Sequence, residues 1–126
     1  MKKIISTENA PKAVGPYSQA IEANGTLYIS GQLPIDPKTS KFVEGGVKEQ
    51  TEQCLKNVEA ILVAAGYSFA DVVKSTVLLD NMNDFAEMNG VYAQFYTTEQ
   101  PARIAFEVSK LPLGALVEIE TIAVKN

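Results

Sequence analysis

Two strictly alternating runs near the C-terminal end constrain this chain most. They are Ala102-Arg103-Ile104-Ala105-Phe106-Glu107-Val108 and Leu116-Val117-Glu118-Ile119-Glu120-Thr121-Ile122-Ala123-Val124. A period of two belongs to a β-strand, whose successive side chains leave opposite faces. The joining segment, Ser109-Lys110-Leu111-Pro112-Leu113-Gly114, carries turn residues, so the pair reads as an antiparallel hairpin. Arg103, Ala105 and Glu107 then share a face, as do Glu118 and Glu120. Folding the hairpin brings Arg103 roughly opposite Glu118 or Glu120, depending on register. A guanidinium so placed either grips a carboxylate ligand through two parallel hydrogen bonds or forms a cross-strand ion pair of modest value.

The rest of the chain supplies a mixed set of elements. Lys3 to Ser6 reads as a short edge strand, and Asn9 to Pro16 as a loop broken by two prolines and a glycine. Tyr17 to Ala23 and Thr26 to Leu33 read as strands joined by Asn24-Gly25, the pair favoured where both turn residues need positive φ. Pro34 to Gly46 is a loop. Val47 to Ala65 carries Val47, Thr51, Cys54, Leu55, Val58, Ile61, Leu62 and Ala65 at three- and four-residue steps, an apolar helical stripe ended by Gly66. Val72 to Leu79 is a β-branched strand, with Val73, Val77 and Leu79 expected on one side and Val72 and Leu78 on the other. Asn81 to Asp84 offers caps for a second helix that buries Phe85, Met88, Tyr92, Phe95 and Tyr96. The order β-ββ-α-β-α-ββ predicts an α+β domain spanning 1–126, with a mixed sheet. Two helices cover one face of such a sheet, so an apolar second face predicts a homo-oligomer.

Composition removes whole classes of chemistry. The 126 residues include no histidine and one cysteine, which excludes Ser-His-Asp and Cys-His nucleophiles in their usual form, His-containing zinc sites and an intrachain disulfide. No dinucleotide or Walker glycine loop is present. Eleven basic residues against fifteen acidic ones give a net charge of −4, without the basic patch of a nucleic-acid binder. No run has membrane length, no apolar signal segment follows Lys2-Lys3, and the lone Cys54 suits a reducing cytoplasm. What remains is carboxylates, arginine, hydroxyls, backbone groups and water.

Besides Arg103, Glu118 and Glu120, four features are candidates. Tyr17 follows Gly15-Pro16 at a loop–strand junction, where a phenol can be aimed into a cleft or simply packed. Ser30-Gly31 interrupts a strand, as a bulge or as a point of close approach for a ligand. Asn89, inside a helix, faces either a site or solvent. Cys54 lies on an apolar stripe and reads as an inert core residue.

Taken together, Asn9-Ala10-Pro11, Gly15-Pro16-Tyr17-Ser18-Gln19, Ser30-Gly31-Gln32, Asn83-Asp84-Phe85, Pro101-Ala102-Arg103, Glu107-Val108, Leu111-Pro112 and the run Val117 to Val124 resemble the Rid (YjgF) family of enamine/imine deaminases. The resemblance covers Ile5 to Val124. It implies a chorismate-mutase-like α+β fold, with a mixed sheet and two helices on one face, assembled as a homotrimer with clefts between subunits. It implies hydrolysis of 2-aminoacrylate and 2-aminocrotonate to 2-oxo acids and ammonia, with no metal or organic cofactor. Arg103 would clamp the substrate carboxylate and Glu118 would hold the attacking water. Tyr17 would line the cleft, with Ser30, Gly31 and Asn89 as further lining positions. Many bacterial members have cysteine where this chain has Ala105, so the resemblance implies a thiol-free site with a backbone N–H open to ligand. Two other activities stand beside this one: a non-catalytic module that binds small carboxylates, and an RNA-acting translation inhibitor, which the net charge disfavours.

Overall fold

Ten strands and helices follow one another in the computed structural model, which describes residues 1–125. Asn126, the last residue of the expected domain, lies outside the described residues. In chain order they are β1 (Lys3–Ile5), β2 (Ala20–Ala23), β3 (Thr26–Gln32), β4 (Ile35–Asp36), β5 (Lys41–Phe42), α1 (Val47–Ala65), β6 (Val72–Leu79), α2 (Phe85–Phe95), β7 (Ala102–Glu107) and β8 (Val117–Val124). Six strands form one sheet in the order β1-β2-β3-β8-β6-β7, and β4 and β5 pair in a small separate hairpin inside the 34–46 loop. All neighbours in the large sheet are antiparallel except β6 and β7, which are parallel.

The local signals act as elementary chemistry requires. Asn24 (φ 51°) and Gly25 (φ 74°) turn the β2–β3 hairpin with positive φ at both positions. Helix α1 ends on Gly66 (φ 82°), and the Tyr67 N–H returns to the Leu62 carbonyl at 2.8 Å. Leu55, Val58, Ile61 and Leu62 are fully buried against the sheet, each contributing about 1.5–3 kcal/mol. Two buried amides on the same helix fasten what crosses it. Asn57 Nδ2 donates to the carbonyls of Leu33 (3.1 Å) and Ile35 (2.9 Å), and Gln50 Oε1 accepts from Leu116 N at 2.8 Å. Helix α2 follows a tight turn, Met82–Asp84, in which Asn81 Oδ1 accepts from Asn83 N at 2.8 Å.

The expected C-terminal hairpin does not form. Strand β8 enters the middle of the sheet between β3 and β6, while β7 lies at the edge, parallel to β6. The inner residues of β8 explain its position: Val117, Ile119, Thr121 and Ala123 are at most 1 % exposed, whereas every residue of β7 is at least partly open. A strand with a wholly buried face belongs at the centre, under α1. The connection through residues 108–116 is long enough to cross β6, and α2 serves as the crossover that parallel β6 and β7 need.

Both helices cover one face of the sheet. On the other, Ile4, Tyr28, Ile104, Phe106 and Val124 are 42–63 % exposed and flank Ile21, Leu78 and Ile122. The apolar second face expected from sequence is therefore present. Its membership differs at one point, because a bulge between Val72 and Lys74 reverses the parity of β6. Val72 is buried on the helix side and Val73 is exposed, the opposite of the simple alternation.

Candidate active site

Arg103 rises from β7 opposite Ser75 of β6, on the face covered by α2. Its Nη1 donates to Asn89 Oδ1 at 2.7 Å, and its guanidinium carbon stands 4.7 Å from the Tyr92 ring centre and 5.6 Å from that of Phe85. Phe85, Asn89 and Tyr92 are four and three residues apart on α2, so one helix face presents all of them. A pocket of about 410 Å³ opens beside Arg103, lined by Asn89, Tyr92, Tyr96, Gln100 and Pro101. Ala105 lies on the same face of β7, opposite Val77. The cross-strand ion pair with Glu118 or Glu120 is absent: among the described residues the ion pairs are Lys48–Glu87 and Lys56–Glu52. It cannot form, because β6 intervenes and the two sets of side chains leave opposite faces.

Glu118 faces the open side of β8, opposite Leu78. Ser30 and Gly31 form a bulge in β3, between the pairs Ile29–Thr121 and Gln32–Ile119, and the Glu118 carboxylate lies directly over Gly31. Half-burial raises the Glu118 carboxyl above the usual glutamate value, and the nearby Glu120 charge adds to the effect. Ser30 Oγ donates to the Ser18 carbonyl at 2.6 Å, tying the bulge to the segment that carries Tyr17. Strand β2 begins only at Ala20, so Tyr17 stands in the loop rather than on a strand. Its ring is half-exposed and shares a small depression with Pro11, Val14, Gln19, Gly31 and Leu113. The buried Gln19 side chain organises this loop. Its Oε1 accepts from Thr7 N (2.7 Å), and its Nε2 donates to the carbonyls of Thr7 (3.0 Å), Ala10 (3.2 Å) and Pro11 (2.7 Å).

Within one chain the candidates thus fall into two half-sites. Arg103, Asn89 and Ala105 lie on the helix side at the β7 edge, and Glu118, Gly31, Ser30 and Tyr17 lie on the open side toward β3. Two strand spacings, on the order of 10 Å, and the thickness of the sheet separate them.

Residues 7–125 match the family model described as Endoribonuclease L-PSP. The chain belongs to this family, the Rid/YjgF/RutC family. A RutC family protein of Pyrococcus horikoshii is 60 % identical over 126 residues, covering all of both chains. The Bos taurus protein named 2-iminobutanoate/2-iminopropanoate deaminase is 53 % identical over the whole of this chain and 92 % of its own length. Among solved structures, Escherichia coli TdcF with bound serine superimposes with a TM-score of 0.94 at 42 % identity, covering 98 % of this chain and 99 % of that one. The Rid fold expected from the motifs, a mixed sheet with two helices on one face, is the fold of this protein.

Two parts of the candidate half-sites went unrecognised in the sequence. Phe85 and Tyr92 read as core residues, and Tyr92 is indeed buried, but both rings also bear on Arg103. Their spacing from Asn89 was the available signal. Gln19 carried no signal of its own, because its four hydrogen bonds run to a loop without periodicity. Cys54 is the inert core residue expected: it is fully buried, with Sγ 3.7 Å from the Val117 carbonyl, and burial pushes its thiol pKa well up.

Proposed function

We propose that this Rid-family chain hydrolyses small enamines and imines, such as 2-aminoacrylate and 2-aminocrotonate, in a cleft completed between subunits of a homotrimer. The observation that carries the reading is the division of the candidates. Arg103 has no acidic partner among the described residues, Glu118 has no cationic one, and the sheet face bearing Glu118 is apolar and uncovered. Burying that face against further copies would let Arg103 of one chain meet Glu118 of another. The deaminase names of relatives at about half identity support the reaction class, and serine bound to TdcF supports a small amino-acid-like ligand.

The chemistry uses only groups the chain carries. The enamine tautomerises to an imine, whose C=N carbon is electrophilic. Arg103 holds the carboxylate through two parallel N–H groups. Glu118 accepts a proton from a water as that water adds to the carbon and returns it to nitrogen; it then takes the proton of the new hydroxyl and passes it to the amine as the C–N bond breaks, so that ammonia leaves and the 2-oxo acid remains. A carboxyl raised by burial is better matched to proton transfer near neutrality than an exposed one. Tyr17, Ser30, Gly31 and Asn89 line the cleft, and Ala105 takes no part through a thiol.

The test couples the protein to a serine or threonine dehydratase and follows decay of the imine absorbance. Acceleration by wild type, lost in Arg103→Ala and in Glu118→Ala, supports the reading; no acceleration, or full activity in Arg103→Ala, removes it. Retained 2-oxo acid binding with no turnover in any form would identify a sensing module instead. Salt-sensitive RNA cleavage by the purified protein would favour the activity named in the family description, which a net charge of −4 opposes.

A further inference from the structure

Arg103 ends a column of aromatic rings. Tyr92, 4.7 Å beneath the guanidinium, stacks on Tyr96 with centres 4.6 Å apart and planes tilted by 32°. Tyr96 meets Phe69 edge-on at 5.0 Å, and Phe69 meets Phe95 at 5.8 Å. Tyr92 and Tyr96 are buried, at 6 % and 4 % exposure. Phe69 comes from the helical turn before β6, so the column is fixed in two separate segments. The turn that leads into α2 is also tied to the end of β7, where Glu107 Oε1 accepts from Met82 N at 2.9 Å. A guanidinium over an aromatic face is attracted by the ring quadrupole, and its planar fork is useful only when its edge points at the ligand. Asn89 occupies one of the five N–H groups, and the others have no partner among the described residues.

We propose that Phe85 and Tyr92 are positioning residues, which set the plane of the Arg103 guanidinium so that its free edge meets a planar carboxylate before any ligand arrives. The inference rests on the reading of Arg103 as the carboxylate holder. The rings act through Arg103 rather than on the substrate. They reduce the ordering that binding would otherwise demand of a long, flexible side chain. The hydroxyl of Tyr92 is dispensable to this role, and its ring is not.

The experiment measures 2-oxobutanoate affinity by calorimetry, together with the steady-state kinetics of imine hydrolysis. Tyr92→Leu and Phe85→Leu are each expected to weaken 2-oxobutanoate binding and raise KM by about three- to tenfold, with kcat within about twofold of wild type. Tyr92→Phe should restore wild-type affinity. In an Arg103→Lys background the ring substitutions should cost no further affinity, because an ammonium has no plane to orient. Unchanged affinity in both leucine variants, or a loss that adds in full to that of Arg103→Lys, overturns the proposal. Should Tyr92→Leu fail to fold, the half-buried Phe85 decides the matter alone. Wild-type affinity in Arg103→Ala would overturn the carboxylate reading and the positioning role with it. Arg103-dependent binding that ignores both rings would overturn only the positioning role.

Discussion

The carboxylate of Glu118 occupies the space that a β-carbon on Gly31 would need: such an atom would overlap Oε2 and stand 3.0 Å from the carboxyl carbon. The glycine is therefore required for room rather than for an unusual backbone angle. Gly31→Ala should push Glu118 off its position and lower kcat by about a hundredfold, the scale expected when a reacting group moves by about 1 Å. Thermal stability should hardly change, because the displaced carboxylate can swing toward solvent. Imine-decay kinetics beside a melting curve check both halves.

Glu118 should also set the acid limb of the pH profile. Burial first, and the Glu120 charge second, raise its carboxyl above the usual 4.5. If it serves as the base, kcat/KM falls as pH drops through that raised value. Glu120→Gln should move the limb to lower pH, and Glu118→Gln should remove it along with the activity. The stability effect has a definite sign. A raised native pKa means the folded state holds the proton more tightly than the unfolded chain does. The cost of the charged form is absent below about pH 4.5 and fully present once pH exceeds the raised value. Denaturant titrations should find Glu118→Gln more stable than wild type at neutral pH and no different at pH 4.

Ile104 tests the assembly. It is half-exposed on the edge strand β7, on the uncovered face of the sheet, opposite Thr76. Ile104→Asp should convert the proposed trimer into monomers in analytical ultracentrifugation, keep the circular dichroism of the fold, and abolish the proposed deamination. A monomeric wild type, or an active monomeric variant, would contradict the shared cleft.

Gln19→Leu should destabilise the protein by about 2–4 kcal/mol, because four backbone groups of the loop at Thr7, Ala10 and Pro11 lose their partner together. The loop also presents Tyr17, so KM should rise more than kcat falls. Denaturant unfolding and steady-state kinetics measure the two effects separately.

Cys54 should resist alkylation in the native protein and react only when unfolded, since it is fully buried and its thiol pKa is raised by that burial. Cys54→Ser should cost about 1–2 kcal/mol and leave turnover unchanged. A loss of rate without a loss of stability would give the thiol a role that its surroundings do not suggest.

What the sequence determined by itself is what depends on near neighbours. The stripe from Val47 to Ala65, the Asn24-Gly25 turn, the Gly66 cap and the alternation of β8 each follow from residues a few positions apart, where backbone sterics and side-chain period act directly. The motif set around Arg103 and Glu118 was equally legible, because its residues are named by type and order. The partners of the strands were not. The runs at 102–108 and 116–124 have the same period, and nothing within them says that β6 comes between. Only the competition for the central place under α1, won by the strand with the fully buried face, decides it. That single choice puts Arg103 and Glu118 on opposite sides of one sheet and turns an apparent ion pair into two half-sites. It also lets α2 lay Phe85, Asn89 and Tyr92 against a guanidinium that stands at least eleven positions further along the chain.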